Sequence, residues 1–327
     1  MEGTVPHRPI RLEYSADTRS AWQPMKPEFS AACNALSLGM PYGEPYVMKS
    51  VRDALPEIEA QGDHQLAAEV RAYLDQEREH AQQHRRFNEI LRAQHPALRH
   101  VERWLKRSYG FMARRAGHRF GVAYAAGFEA TAFAAARWMD AKRHSLFRGA
   151  DPEPATLFLW HLAEEVEHKT VAHDVWAAVD GNRLRYVAAM AVCFAMLVWF
   201  IFCGVVVQLA AWRKLFNPVA WFRLWTWGIG FFFEVAPTMA ITALPSHHPD
   251  RQADPSWMPM WLAAYDPETN TIPAWDAPID AYFPAPLDAP PPDTVSTCAG
   301  SGEVSELVGI EHTVDRRDPD IATRIGA

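Results

Sequence analysis

Two short stretches of this 327-residue chain repeat one spacing of acid and imidazole. They are Glu77-Arg78-Glu79-His80, followed by His84, and Glu165-Val166-Glu167-His168, preceded by His161. A glutamate and a histidine three residues apart on an α-helix project from one face. In both stretches that face should be apolar. Val70 and Leu74 begin a helical stripe that Phe87 and Leu91 resume, and Glu77, His80 or Ala81, and His84 fill the positions between. Leu157 begins a second stripe, resumed by Val171 and Val175, with His161, Glu164 or Glu165, and His168 between. Burying an ionised carboxylate without a partner is strongly unfavourable, so acids and imidazoles on inward stripes imply paired charge or a metal ion. Ordinary surface ion pairing is the alternative, and the double coincidence with an apolar seam argues against it. Mixed carboxylate and imidazole donors suit iron, manganese or zinc rather than calcium.

Two further acids complete a pattern. Glu44 lies on the stripe of Val47, Val51 and Leu55, and Glu129 is the only acid between Glu102 and Asp140. The chain order is then one glutamate, one Glu-x-x-His, repeated, which is the ligand pattern of di-metal ferritin-like four-helix bundles. The expected ligands are Glu44, Glu77, His80, Glu129, His161, Glu165 and His168, around two iron ions, with manganese or zinc as alternatives. His84, Glu164 and Asp174 are candidates for additional ligands or for groups that orient a ligand imidazole from behind. Other readings stay open for several of these. A glutamate at a helix start, as Glu44 is before Pro45, is also favoured by the helix dipole. Glu129 could pair with Arg119 or Arg137. Glu164 competes with Glu165, which reproduces the spacing of the first motif. His161 and His84 could each be core rings making one hydrogen bond. His118, His144, His173, His247 and His248 read as solvent-facing or loop residues.

The run Trp160-His-Leu-Ala-Glu-Glu-Val-Glu-His-Lys-Thr-Val-Ala-His-Asp174, with Gly43-Glu44 and Glu77-x-x-His80-x-x-x-His84, resembles a bacterial family catalogued as predicted metal-dependent hydrolases. The resemblance extends over roughly residues 35–265 and implies a ferritin-like fold. Locally, His161-x-x-x-Glu165-x-x-His168 is also similar to di-iron arylamine N-oxygenases, which carry a third histidine one turn before the last Glu-x-x-His. That similarity implies His161 as a ligand and does not transfer a substrate.

The positioning elements are all helical. Hydrophobic periodicity predicts helices over about 44–60, 64–94, 97–147 and 154–180, the third interrupted near Gly110 or Gly117. Residues 1–42 read as an irregular lead-in closed by Met40-Pro41-Tyr42-Gly43, and 43–182 as the di-metal bundle. Tyr186–Trp212 is apolar except for Gln208 and is flanked by Arg183, Arg185, Arg213 and Lys214. As a helix it would span ~40 Å, against ~30 Å of bilayer hydrocarbon. Val219–Leu244 is rich in Trp and Phe but carries Arg223 and Glu234, as an interfacial helix would. Residues 183–245 are therefore expected to associate with a membrane; core helices or a homodimer interface are the alternatives. Residues 246–282 read as a docking segment, with Trp257–Tyr265 set on the bundle, and 283–327 as a disordered, Pro-rich tail.

A net charge of −7 argues against nucleic-acid binding. The four cysteines are far apart, which excludes a disulfide framework or thiolate zinc site. Met1–Ser30 has no apolar core of a secretory signal. The expected location is the cytoplasmic side of a membrane, or alternatively the soluble cytoplasm. The expected function is O2-dependent oxidation or oxygenation of a small organic substrate by two irons, fed by an electron donor. The substrate would be lipophilic if the apolar segments bury in a membrane, and Phe128, Phe133, Phe158 and Trp160 would line its pocket. Hydrolysis by a metal-bridging water is the alternative, and metal storage or a membrane-tethered scaffold is the second.

Overall fold

A computed structural model of the chain describes residues 6–15, 17–244 and 246–278. Among these the fold is all-α, with one isolated β-bridge between Asp266 and Thr271. The helices are α1 (Pro27–Arg52), α2 (Leu55–Ala60), α3 (His64–Gln94), α4 (Leu98–Arg115), α5 (His118–Phe147), α6 (Pro152–His168), α7 (Val171–Val179), α8 (Arg183–Ala211), α9 (Pro218–Thr242) and α10 (Met258–Leu262). Local chemistry sets several ends. The Asp63 carboxylate accepts the Leu66 N–H at 3.0 Å and caps α3. Gly117, at φ +74°, separates α4 from α5, while Gly110 lies inside α4. Lys169 and Thr170 break the expected fourth helix into α6 and α7.

The largest departure from expectation is α1, which begins at Pro27 rather than at residue 44 and runs through Pro41 and Pro45. Each proline removes a backbone donor. The carbonyl that Pro41 leaves without its helical partner, that of Ser37, instead accepts the Asn88 amide at 2.8 Å. Packing against α3, α5 and α8 outweighs the helix-breaking signal. The last sixteen residues of the lead-in are thus helical, and its earlier part also has a structural role. The Gln83 amide donates to the Ile10 carbonyl and the Arg86 guanidinium to that of Leu12.

Helices α1, α3, α5 and α6 pack about a shared interior, with α7 against α3 and α5. Trp22, Tyr73, Phe87, Tyr124 and Trp160 are fully buried there. Helix α8 lies along α1 and α5 at close range: a Cβ on Gly127 would meet Met190 Cα at 2.9 Å, and one on Gly204 would meet Ala35 Cβ at 2.5 Å. Gln208, the polar exception in the apolar run of α8, faces this interface. Its amide donates to the Ala31 carbonyl at 2.8 Å and its oxygen accepts from Asn34 at 2.8 Å.

Both α8 and α9 are long and apolar enough to cross a membrane. Only 28% of the most apolar stretch of α8 and 11% of that of α9 are buried. Phe216, Phe222 and Phe233 are exposed. Helix α10 packs on α6, and the Tyr265 hydroxyl donates to the Pro9 carbonyl at 2.8 Å, joining this segment to the N-terminal one. The expected tail lies outside the described residues.

Candidate metal centre

Helix α1 presents Glu44, α3 presents Glu77, His80 and His84, α5 presents Glu129, and α6 presents His161, Glu164, Glu165 and His168. All are buried, with Glu44, Glu77, His80, Glu129, Glu164, Glu165 and His168 inaccessible to solvent. Suitable donor atoms of Glu77, His80, Glu165 and His168 lie within 4.8 Å of one another, as do those of Glu44, His84 and His161.

Hydrogen bonds behind the three innermost imidazoles determine which nitrogen each turns inward. The Gln76 amide nitrogen donates to the Pro6 carbonyl at 2.6 Å, so its oxygen accepts, and His168 Nε2–H donates to it at 2.5 Å. His168 Nδ1 then faces Glu77 Oε1 at 2.9 Å, Glu165 Oε2 at 3.5 Å and Glu129 Oε2 at 3.9 Å. His80 Nε2 bonds Glu164 Oε2 at 2.9 Å, leaving Nδ1 at 3.6 Å from both Glu77 Oε1 and Glu165 Oε1. Glu164 is itself 3.5 Å from Arg8, which also grips Glu167 at 2.9 Å through both of its terminal nitrogens.

For His161 the line is longer. Asn88 donates to the Ser37 carbonyl, so its own oxygen accepts the Ser37 hydroxyl at 2.7 Å. The Ser37 oxygen must accept from His84 Nδ1–H at 2.8 Å, which leaves His84 Nε2 to accept from His161 Nδ1–H at 2.6 Å. His161 Nε2 therefore carries a lone pair, yet it sits 2.7 Å from Glu165 Oε1 and 3.7 Å from Glu44 Oε1. Two acceptors this close need a cation or a proton between them.

The same deficit recurs throughout. Both oxygens of Glu44 and of Glu77, Glu129 Oε2, Glu165 Oε2, His80 Nδ1 and His168 Nδ1 are buried without a hydrogen-bond partner. Orphaned atoms of this kind are strongly unfavourable in a dry interior, and here they converge. The donors are able to hold metal.

In the protein alone, electrostatics point the same way. Burial, then the charge of Glu77, pushes the Glu44 carboxyl well above its usual range, and burial with Glu165 and Glu77 does so for Glu129. Burial would also raise Glu165 and Glu77, but the adjacent imidazoles overcome it and hold both below the usual range. Burial would lower His168, yet Glu165 and Glu77 lift it to about 9, and the surrounding carboxylates likewise lift His80. Protons on these imidazoles can take the place of a bound cation. His84 goes the other way, held well below its normal value by burial and then by His161, which suits the neutral tautomer assigned above.

All seven residues expected as ligands meet here. His84 and Glu164 stand behind His161 and His80 rather than facing the carboxylates. Asp174 bonds His248 at 2.9 Å and lies 3.4 Å from His173, so it orients none of these imidazoles. His173 is buried, contrary to its reading as solvent-facing. Glu129 pairs with neither Arg119, which bonds Glu57, nor Arg137; Tyr73 donates to its Oε1 at 2.7 Å. Gln76, Ser37, Asn88, Tyr73 and Arg8 were not foreseen. Gln76 and Tyr73 share the inward face with Glu77, and that placement was the available signal.

An apolar cavity of about 250 Å³ adjoins His84 and His161, bounded by α1, α4, α5, α6, α8 and α9. Phe128 and Phe158 line it as expected, whereas Phe133 and Trp160 are core residues outside its wall.

No curated protein and no solved structure is significantly similar to the chain. A family model described as "Predicted metal-dependent hydrolase" matches residues 6–253, a span that contains every residue of the buried cluster. With well over half of its length matched, the chain belongs to the predicted metal-dependent hydrolase family.

Proposed function

We propose that Glu44, Glu77, His80, Glu129, His161, Glu165 and His168 hold two divalent metal ions in a ferritin-like bundle, and that the protein is a hydrolase. One observation carries this reading: three buried imidazoles have their outer N–H engaged and turn their inner nitrogen toward four carboxylates with orphaned oxygens. Family membership favours hydrolysis over the oxidative chemistry expected from the motifs. Glu165 turns Oε1 toward His80 and His161 and Oε2 toward His168, so it lies between two groups of donors. Glu77 is close to both His80 and His168. Glu44 belongs to the His161 side and Glu129 to the His168 side.

Two bound ions would polarise a substrate oxygen and bring the pKa of water towards neutrality. The chain's own groups do the rest. Tyr73 occupies one oxygen of Glu129 and leaves the other facing the centre. Asn88, Ser37 and His84 keep the proton of His161 on Nδ1. Gln76 and Glu164 fix the other two rings, and Phe128 and Phe158 keep the adjoining space dry.

Oxidation with O2 and an electron donor, by two irons, is the second reading. The four carboxylates and the dry aromatic cavity beside His161 favour it. That substrate-sized space also weighs against a scaffold without activity. The deciding experiment is elemental analysis of purified wild type beside Glu165→Ala, with activity assayed after loading zinc or manganese under anaerobic conditions. Two ions per chain, lost in the variant, with anaerobic turnover, is the expected result. Iron with turnover only in O2 would select the oxidative reading, and metal-free wild type would end both.

A further inference from the structure

The cavity beside His161 has a wall almost free of polar atoms, and its reach sets it apart from a packing defect. Among the proposed ligands His161 alone retains some exposure, at 7%, and it lines the cavity. Anything that approaches the centre through this space therefore meets His161. Two other lining residues, Phe202 of α8 and Trp225 of α9, are each 47% exposed, so the lining of the cavity extends to the exposed surface of these helices. Its volume of about 250 Å³ exceeds the ~150 Å³ of an apolar cavity that binds benzene. The wall has room for a hydrocarbon chain and carries no Asp, Glu, Lys or Arg to receive a polar one.

What lies against that surface is indicated by α4, which packs on α8. Its exposed face carries Arg99, Arg103, Lys106, Arg107, Arg114 and Arg115 together with Trp104 and Phe111. Its one acid, Glu102, is taken up by Arg92 at 2.8 Å. On a chain of net charge −7 this is a concentrated basic face. Basic residues interleaved with exposed aromatic rings suit the interface of an anionic bilayer. Next to it, α8 and α9 expose the apolar surface already described.

We propose that this cavity binds the hydrocarbon chain of a lipid substrate, drawn from an anionic bilayer between α8 and α9, with the reacting group brought to His161. The inference rests on the proposed metal-dependent activity for its reaction, but not for its binding step.

The test uses the full chain, metal-loaded, and the fluorescent fatty acid cis-parinaric acid. The acid is offered either in water below its micelle threshold or dissolved in phosphatidylcholine vesicles with or without phosphatidylglycerol. Wild type should bind the probe, and take it up faster from the vesicles containing phosphatidylglycerol. Ala135→Trp on α5 and Met196→Trp on α8, which fill the cavity from two of its helices, should each weaken probe binding about tenfold or more while vesicle binding stays intact. Lys106→Glu with Arg107→Glu should abolish the preference for phosphatidylglycerol and leave binding of the dissolved probe unchanged. Equal probe binding by the filled variants, or equal uptake from all three sources, would overturn the proposal. Metal content is measured on the same samples. A metal-free wild type that still binds the probe would sink the proposed chemistry and not this site, whereas two bound ions with no probe binding would do the reverse.

Discussion

At the scale of single residues, the centre depends on groups that touch no carboxylate of the cluster. Gln76 and Glu164 each accept the outer N–H of an imidazole, and their own orientation is set by the N-terminal segment through Pro6 and Arg8. Partners of this kind typically account for 10–100-fold in metal affinity. Gln76→Leu leaves the His168 Nε2–H buried and unpaired, and competition with a chelator should show metal binding weakened by about that factor. Glu164→Gln should weaken it less, because an amide oxygen still accepts. His84→Phe removes the acceptor for His161 Nδ1–H, and the same titration should show a loss there too. The seven inward groups were legible because charge interrupted an apolar stripe. Among the supporting groups, His84 and Glu164 lie on the same interrupted stripes and Gln76 is marked only by its inward position, whereas Ser37 and Asn88 announce nothing until their partners on other elements are known.

Elements decide how tightly the apolar helices are joined to the site. Gly204 allows α8 to approach α1, and a larger side chain there would begin 2.5 Å from Ala35 Cβ. Gly204→Leu should cost about 1–3 kcal/mol through overpacking, read as a lowered midpoint of thermal unfolding in detergent. Helix α1 shows where local signals mislead. Pro41 reads as the close of a loop and Pro45 as the first turn of a new helix, yet tertiary contacts with three helices keep the chain helical through both. The Ser37 carbonyl freed by Pro41 holds Asn88, which in turn sets the Ser37 hydroxyl against His84. Helix α3, whose Asp63 cap and apolar stripe agree, runs over His64–Gln94 as the periodicity predicted.

For the molecule as a whole, pH should act in opposite directions on the metal-free and metal-loaded forms. In the metal-free protein His168 is raised from 6.5 to about 9. Its contribution to stability is complete below about 6.5 and is lost as pH rises through about 9. His80, also raised, acts in the same sense. Glu77 and Glu165 are lowered from 4.5, so they add stability above that value and withdraw it as the solution is made more acid. Metal binding must displace the imidazole protons, so apparent affinity should climb between about 6.5 and 9. The unfolding midpoint of the metal-free protein should fall over that interval while the stabilisation produced by added metal grows. A flat difference between the two forms would mean that the ions do not compete for these nitrogens.

The sequence alone determined the helical class, the repeated glutamate and Glu-x-x-His order, and the two long apolar segments. Each is a periodic property of one stretch of chain, and period is what a helix converts into a face. Only the tertiary structure decided which nitrogen of each imidazole turns inward, that Asp174 serves His248 instead, and that one apolar cavity is lined both by His161 and by exposed residues of α8 and α9. Those features join residues as far apart as Arg8 and Glu164, or His161 and Trp225. No local pattern encodes such meetings, because they are set by how the helices pack.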